Sequence, residues 1–433
     1  MTATLIIVIT TFVLLTSSIL FIPSVKVGKV KLGTYWMVAF LGAAILLCTK
    51  LLPIGTLWRS FTANTSVNPL KILLLFFSMT FISVVLDELG LFRFLANKAV
   101  RLAGKTQLTY FVVLYFLTAA LTVFTSNDVV ILTLTPFICF FCKNANIDPI
   151  PYLLGEFAAA NTWSMMLVIG NPTNIYLASF SGIEFLEYLR VMILPTIAAG
   201  AVQFVIILLL FYKKFRTEPV VTSEDITIGN KFGLTVGLIH LGVCLLFLVI
   251  SGYLKLEMWL ISSICALSLL IWLLVFRLLI RKDERLLVES VKRLPWQLIP
   301  FVLSMFVIVI TLQHQGISDK IGRFLGEKYA IWTYGLSSYV SANLINNIPM
   351  SIFFATVSSP LAEPIRLQAV YASIVGSNIG AFLTPIGALA GIMFTELTGR
   401  YNVKYGFSEF IRYGSIVSLP TIGAALAVLL LIL

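Results

Sequence analysis

Apolar residues run through this chain in blocks of about 18 to 22, the length a helix needs to cross the hydrocarbon of a bilayer. Such blocks lie at 2–22, 33–52, 70–86, 188–212, 232–252, 258–280, 296–312 and 409–432, and they predict eight plain spans. Four more apolar stretches, 108–143, 151–182, 331–358 and 368–397, are interrupted by Asn, Ser, Gly and Pro. In the first of them YFVVLYFLTAALTVF runs straight into TSNDVVILTLTP, Thr125 to Pro136, which sets Asn127 beside Asp128 in the middle of the block.

Lys105 and Lys143 bound 108–143, and both belong on the same membrane face if the neighbouring loops are to keep their charge. A chain that enters and leaves by one face is a re-entrant hairpin, here with its tip at Thr125–Asp128. Irregular backbone at that depth is tolerated only where protein buries it or where it lines a wet cavity. The stretch 331–358 predicts a second hairpin entered from the other face, with its tip at Ile345-Asn346-Asn347-Ile348-Pro349. Gly170-Asn171-Pro172-Thr173-Asn174 breaks the helix at 151–182, because Pro172 lacks a backbone donor and disfavours helical geometry at Asn171. Thr384-Pro385-Ile386-Gly387 breaks 368–397 in the same way.

The chain also repeats itself. Ser78-Met79 matches Ser304-Met305, Gly90 matches Gly316, Asn127 matches Asn347, Ser164 matches Ser377 and Pro172 matches Pro385, at separations that shrink steadily along the chain. Loop charge gives the orientation. Lys26, Lys29 and Lys31 follow the first span and no Lys or Arg precedes it, so the amino terminus is expected outside and the first span is no cleavable signal. Most of the 30 basic residues then fall on the cytoplasmic side, in loops at 87–107, 213–231, 281–294 and 398–408. With that threading the block 70–86 runs inward and its counterpart 296–312 outward, so the halves are inverted. The predicted fold is an all-α polytopic membrane protein of two inverted repeats, with about ten transmembrane helices, two re-entrant hairpins and two broken helices. The first repeat spans 1–216, a cytoplasmic linker 217–231, and the second repeat 232–433, with both termini outside.

Composition agrees with this pattern and narrows the function. Of the 433 residues 59% are hydrophobic and only 11% charged, and the mean hydropathy is +1.01. That excludes a soluble globular protein. The formal charge of +11 is scattered through short loops, which argues against nucleic acid as a partner. No phosphate-binding GxxxxGK[ST] loop, zinc set or catalytic triad appears, so no enzyme is expected and no cofactor or metal. Transport would draw on an ion gradient, or on an ATPase partner outside this chain. Cys48, Cys139, Cys142, Cys244 and Cys265 all lie in apolar stretches, which predicts no disulfide framework.

Four broken points converging near the midplane would offer free amides, carbonyls and half-helix dipoles to a solute. The candidate binding residues are Thr125, Ser126, Asn127, Asn171, Thr173, Asn174, Asn346, Asn347, Ser377, Asn378 and Thr384, with Gly170, Pro172, Pro385 and Gly387 making the breaks. The alternative is ordinary kinks whose Asn side chains satisfy freed backbone groups. Asp128 is the only carboxylate expected at the centre, and an acid where water is scarce can load and release a proton. It is the candidate proton-coupling group; capping the second hairpin leg is its other reading. Glu156, about one turn inside the next span, is either a second such group or an interfacial residue. Cys139 and Cys142 share a helix face and read as packing rather than as a site for a soft metal or arsenic(III). His240 and His314 lie outside the four motifs, and the Asn64-Thr65-Ser66 sequon carries no role.

At these motifs the sequence resembles the ion transporter superfamily, and within it the arsenite/antimonite permeases. The resemblance rests on VGSNIGAFLTPIGALA (Val375 to Ala390), on NDVVILTLTP (Asn127 to Pro136) and on YGFSEFIRYGSIVSLP (Tyr405 to Pro420), and it extends over nearly the whole chain. It implies alternating-access transport, export of trivalent arsenic or antimony, a possible homodimer, a possible ATPase subunit and a bacterial or archaeal plasma membrane. VIGNPTNIYLA departs towards the Gly-x-Pro-x-Asn motif of the carboxylate branches. A sodium- or proton-coupled carrier of organic or inorganic anions, such as citrate or a dicarboxylate, and a sodium/proton antiporter therefore stand as alternatives. Asp128 at a tip would repel a carboxylate and favours a neutral solute.

Overall fold

The computed structural model describes residues 1–22, 24–27, 30–64, 68–104, 106–216, 227–280 and 284–433. Lys29, Lys105, Thr65, Ser66, Arg281, Lys282 and most of the expected linker 217–231 lie outside the described residues. Each of the eight plain blocks is a helix: Thr2–Phe21, Thr34–Cys48, Pro69–Glu88, Phe185–Phe211, Lys231–Val249, Met258–Ile280, Leu298–His314 and Phe407–Ile432. The two broken spans bring the total to ten, beside two hairpins. A short antiparallel ribbon, Ser24–Val27 with Val30–Gly33, is the one sheet among the described residues.

Besides a one-turn helix at Ser251–Leu254 and a 3₁₀ turn at Lys214–Arg216, four amphipathic helices lie between the spans, Ile54–Thr62, Leu91–Leu102, Glu284–Lys292 and Ile317–Leu325. They lie in stretches that hydropathy alone assigns to loops. Two of them follow the matched glycines: Gly90 and Gly316 take φ of 86° and 67°, a left-handed conformation that costs glycine little. At Gly316 the chain turns by 77° between Leu298–His314 and Ile317–Leu325. The order of elements, from the helix before each short amphipathic segment to the long final helix, is the same in both halves.

Packing follows a two-fold pattern. Thr34–Cys48 packs on Leu298–His314, and their counterparts Met258–Ile280 and Pro69–Glu88 pack on each other. The second leg of each hairpin packs on the last segment of the other half's broken helix, and Phe185–Phe211 pairs with its own counterpart Phe407–Ile432. The matched helices run in opposite directions. Arg293, just before Leu298–His314, bonds Asp87 and Glu88 at the end of Pro69–Glu88, both at 2.6 Å. Gln315, just after Leu298–His314, donates to the Leu51 carbonyl at 3.1 Å, on the face where Asn68 caps the start of Pro69–Glu88. The repeats are inverted.

Candidate functional site

The first hairpin is made of Gln107–Phe124 and Asn127–Asn144. Tyr152, just beyond the second leg, donates to the Gln107 carbonyl at 3.2 Å, so both ends lie on one face. Thr125 turns its hydroxyl back onto the Leu121 carbonyl at 2.6 Å, and Ser126 is extended at φ −112°, ψ 140°. A new helix starts at Asn127. The second hairpin, Ala330–Ile345 and Asn347–Ser358, turns at Asn346 with φ 71° and ψ 151°, an extended positive-φ conformation that is strained for any residue but glycine. Its second leg is tied to the preceding amphipathic helix Ile317–Leu325 through Thr356 and Ser318 at 3.1 Å. Pro349 falls in the first turn, where no intrahelical donor is needed.

The first broken helix runs Ile150–Trp163, then two short 3₁₀ turns with Leu167 extended between them, then Pro172–Phe180. Asn171 caps the last segment by accepting from the Thr173 amide at 3.1 Å, with Pro172 at its first position. The second broken helix is Glu363–Gly380, an irregular stretch carrying Thr384 to Gly387, and Leu389–Arg400. A side chain at Gly170 would strike the Ser164 carbonyl, its Cβ only 2.2 Å away.

Asn378 ties the two broken helices together. Its Oδ1 accepts from Ser164 Oγ at 2.9 Å and from Asn171 Nδ2 at 3.0 Å, and its Nδ2 donates to Asn174 Oδ1 at 2.7 Å. Asn174 in turn donates to the carbonyls of Ser164 and Leu167 at 2.8 and 3.1 Å. The first hairpin joins through Asn127 Nδ2, which donates to Asn161 Oδ1 at 3.2 Å, while the Asn161 carbonyl accepts from Ser164 Oγ at 2.7 Å. The second hairpin joins through the Asn347 amide to the Gly387 carbonyl at 2.9 Å, Asn346 Nδ2 to the Ile386 carbonyl at 3.0 Å, and Thr384 Oγ1 to Asn343 Oδ1 at 2.7 Å. The breaks form two hydrogen-bonded groups, one around Asn378 and one around Asn343, and the helix Glu363–Gly380 belongs to both through Asn378 and the Gly380 carbonyl.

Three of these residues, Asn161, Ser164 and Asn343, were not among the candidates, although each is a polar residue in an apolar block close to a break. Among the described residues three buried polar atoms in these motifs have no partner: Ser126 Oγ, Asn127 Oδ1 and Ser377 Oγ. Among the described residues no Lys, Arg or His is buried, so the centre is polar and carries no positive side chain.

The carboxylates are placed differently from expectation. Asp128 sits in the first turn of the second leg and is partly accessible, within electrostatic reach of Tyr35 rather than inside the amide cluster. Glu156 is 1% exposed and bonds Thr135, which removes the interfacial reading. Asp87, expected in a cytoplasmic loop, is a buried helical residue. Cys139 and Cys142 are buried on the hairpin's second leg. His240 bonds the Val236 carbonyl on its own helix, and His314 ends Leu298–His314.

Two cavities open beside the first half. One of about 300 Å³ opens between the first hairpin's tip and Lys231–Val249, lined by Leu86, Phe92, Phe124, Thr125 and Leu241. Another of about 240 Å³ lies near the ion pair of Lys71 with Glu257, beside the end of the first broken helix.

The citrate transporter profile (CitMHS) matches residues 30–371. The chain belongs to the citrate transporter family. As a member of that family it is similar to the arsenical pump membrane protein of Escherichia coli K12, 27% identical over 428 residues, 92% of this chain and 94% of that protein. An uncharacterized transporter of Mycobacterium tuberculosis is 24% identical, covering 90% of this chain and 91% of that one. Among solved structures, the YdaH transporter of Alcanivorax borkumensis, described as having an unusual topology, matches with a TM-score of 0.58 at 17% identity. It covers 98% of this chain and 97% of its own, so this citrate transporter family member shares that fold from end to end. It is an integral membrane transporter.

Proposed function

We propose that this chain exports trivalent arsenic and antimony in exchange for protons, by alternating access. The observation that carries the reading is the uncharged centre, in which Ser126 Oγ, Asn127 Oδ1 and Ser377 Oγ are left unpaired amid buried amides. A neutral trihydroxide can both donate to and accept from such groups, and hydrogen bonds let it leave again. A thiolate trap would hold it. The arsenical pump relatives, similar over more than nine-tenths of the chain, support the same substrate class.

Asp128 is the coupling group in this reading: it stands at the tip of the first hairpin, half-buried, directly after Asn127. The basic loops support a cytoplasmic side for the face with Lys214 and Arg293 and an outer side for both termini. The family resemblance supports a homodimer and leaves room for an ATPase subunit. The division into repeats at 1–216 and 232–433 about the linker 217–231 is part of the same reading.

Uptake into everted vesicles under an imposed pH gradient tests it. Parent vesicles accumulate arsenite as protons leave, and Asp128→Asn vesicles fall to the level of vesicles without the protein. Undiminished flux in Asp128→Asn would remove Asp128 from the mechanism. The family's name supports a second reading, a carrier of citrate-like anions, since four half-helix starts favour negative charge. Citrate that raises the unfolding temperature when arsenite does not would establish that reading instead. Cation-dependent proton flux without added solute would mark a sodium/proton antiporter.

A further inference from the structure

Glu156 lies between Ile150–Trp163 and the second leg of the first hairpin, 1% exposed. Both its oxygens stand 2.9 Å from a single group, Thr135 Oγ1. A hydroxyl has one proton to give, so it can serve both oxygens of a carboxylate only through a shared and weakened bond. A neutral carboxyl fits better: its own O–H donates to Oγ1 while the Oγ1 hydrogen goes to the carbonyl oxygen.

No cation stands by. Gln107–Phe124, Asn127–Asn144, Phe185–Phe211 and Glu363–Gly380 all pack on this helix. Among the described residues the one other ionisable group beside the carboxyl is Cys139, on the same hairpin leg, and it brings no positive charge. An isolated ionised carboxylate is not sustained in such a place; the group takes a proton instead.

The position links this proton to the site. Glu156 is on the helix of Asn161, and Thr135 is on the leg of Asn127, so the two contacts clasp the same pair of elements. The matching between halves that pairs Asn127 with Asn347 and Pro172 with Pro385 sets Ala355 against Thr135 and Ala369 against Glu156. The second half therefore lacks this clasp and holds its hairpin through Asn343, Asn346 and the Asn347 amide.

We propose that Glu156 takes up and releases a proton in each transport cycle, and that the protonated form latches the first hairpin to the broken helix. The proposal rests on proton-coupled transport as read above. Losing the proton to water requires the carboxylate to be hydrated, which parts it from Thr135 and draws Asn127 away from Asn161.

The test uses the full chain in proteoliposomes, parent beside Glu156→Gln. Infrared spectra of the parent contain a carboxylic C=O band that shifts in heavy water and is missing from Glu156→Gln. The variant still exchanges arsenite across the membrane, but an arsenite gradient no longer moves protons. If that band is absent in the parent, or if Glu156→Gln keeps parental arsenite-driven proton flux, the inference alone is overturned. A parent that exchanges arsenite without moving protons overturns it together with the reading beneath it.

Discussion

Asn378 shows what one amide can do in a place without water. It serves three side chains at once, those of Ser164, Asn171 and Asn174, all buried. Asn378→Leu takes the acceptor from Asn171 Nδ2 and the 2.7 Å donor from Asn174 Oδ1, while Ser164 keeps the Asn161 carbonyl, and every orphaned buried group costs about 1–3 kcal/mol. The expected result is a loss of about 3 kcal/mol in detergent unfolding and no arsenite transport; parental stability would show that the cluster relaxes around the gap. The neighbouring Ser377 differs, because its hydroxyl already lacks a protein partner. At this scale the sequence marked residues that break helices and left out those that receive them. Asn161 and Asn343 belong to regular helix, and only their neighbours in space reveal their part.

Between elements, the tightest joint is the second hairpin's first leg against the second broken helix. A Cβ at Gly376 would lie 2.0 Å from Ser338 Oγ and 2.3 Å from the Gly335 carbonyl, and one at Gly380 would lie 2.7 Å from the Tyr339 carbonyl. Small residues four apart allow this approach, which in lipid is a main source of helix affinity. The approach also sets the site, since Asn343 Nδ2 reaches the Gly380 carbonyl at 3.0 Å only at this spacing. Gly376→Ala pushes the leg away and is expected to destabilise by about 1–3 kcal/mol, as overpacking does. Thermal unfolding followed in detergent, with arsenite uptake measured alongside, checks both the stability and the loss of activity. The four interrupted blocks were legible because Pro, Gly and Asn stand out in apolar runs. The amphipathic helices were not, because their mixed composition reads as loop until a surface is there to receive the apolar face.

At the scale of the whole molecule, Arg293 holds the inverted halves together at one face. Its two nitrogens reach Asp87 and Glu88 at 2.6 Å each, and the Asp87 side chain is only 5% exposed. Arg293→Ala leaves that carboxylate unpaired and is expected to cost about 3 kcal/mol, the low end for a broken buried pair because Arg293 and Glu88 keep some water. Adding Asp87→Asn should recover most of the loss, a coupling that a double-mutant cycle in detergent unfolding measures directly. Independent contributions that simply add would mean the pair does not join the halves.

The sequence by itself determined the class, the spans, the breaks and the inversion, because lipid enforces length and hydropathy on every crossing segment and loop charge orients them. Tertiary structure alone decided where the carboxylates stand. Asp128 and Asn127 are neighbours in the chain, yet one turns to Asn161 and the other towards Tyr35, since successive residues of a helix point about 100° apart. Glu156 became a buried group and Asp87 an ion-paired one for the same reason: burial depends on which helix packs over a position, and no local pattern records that.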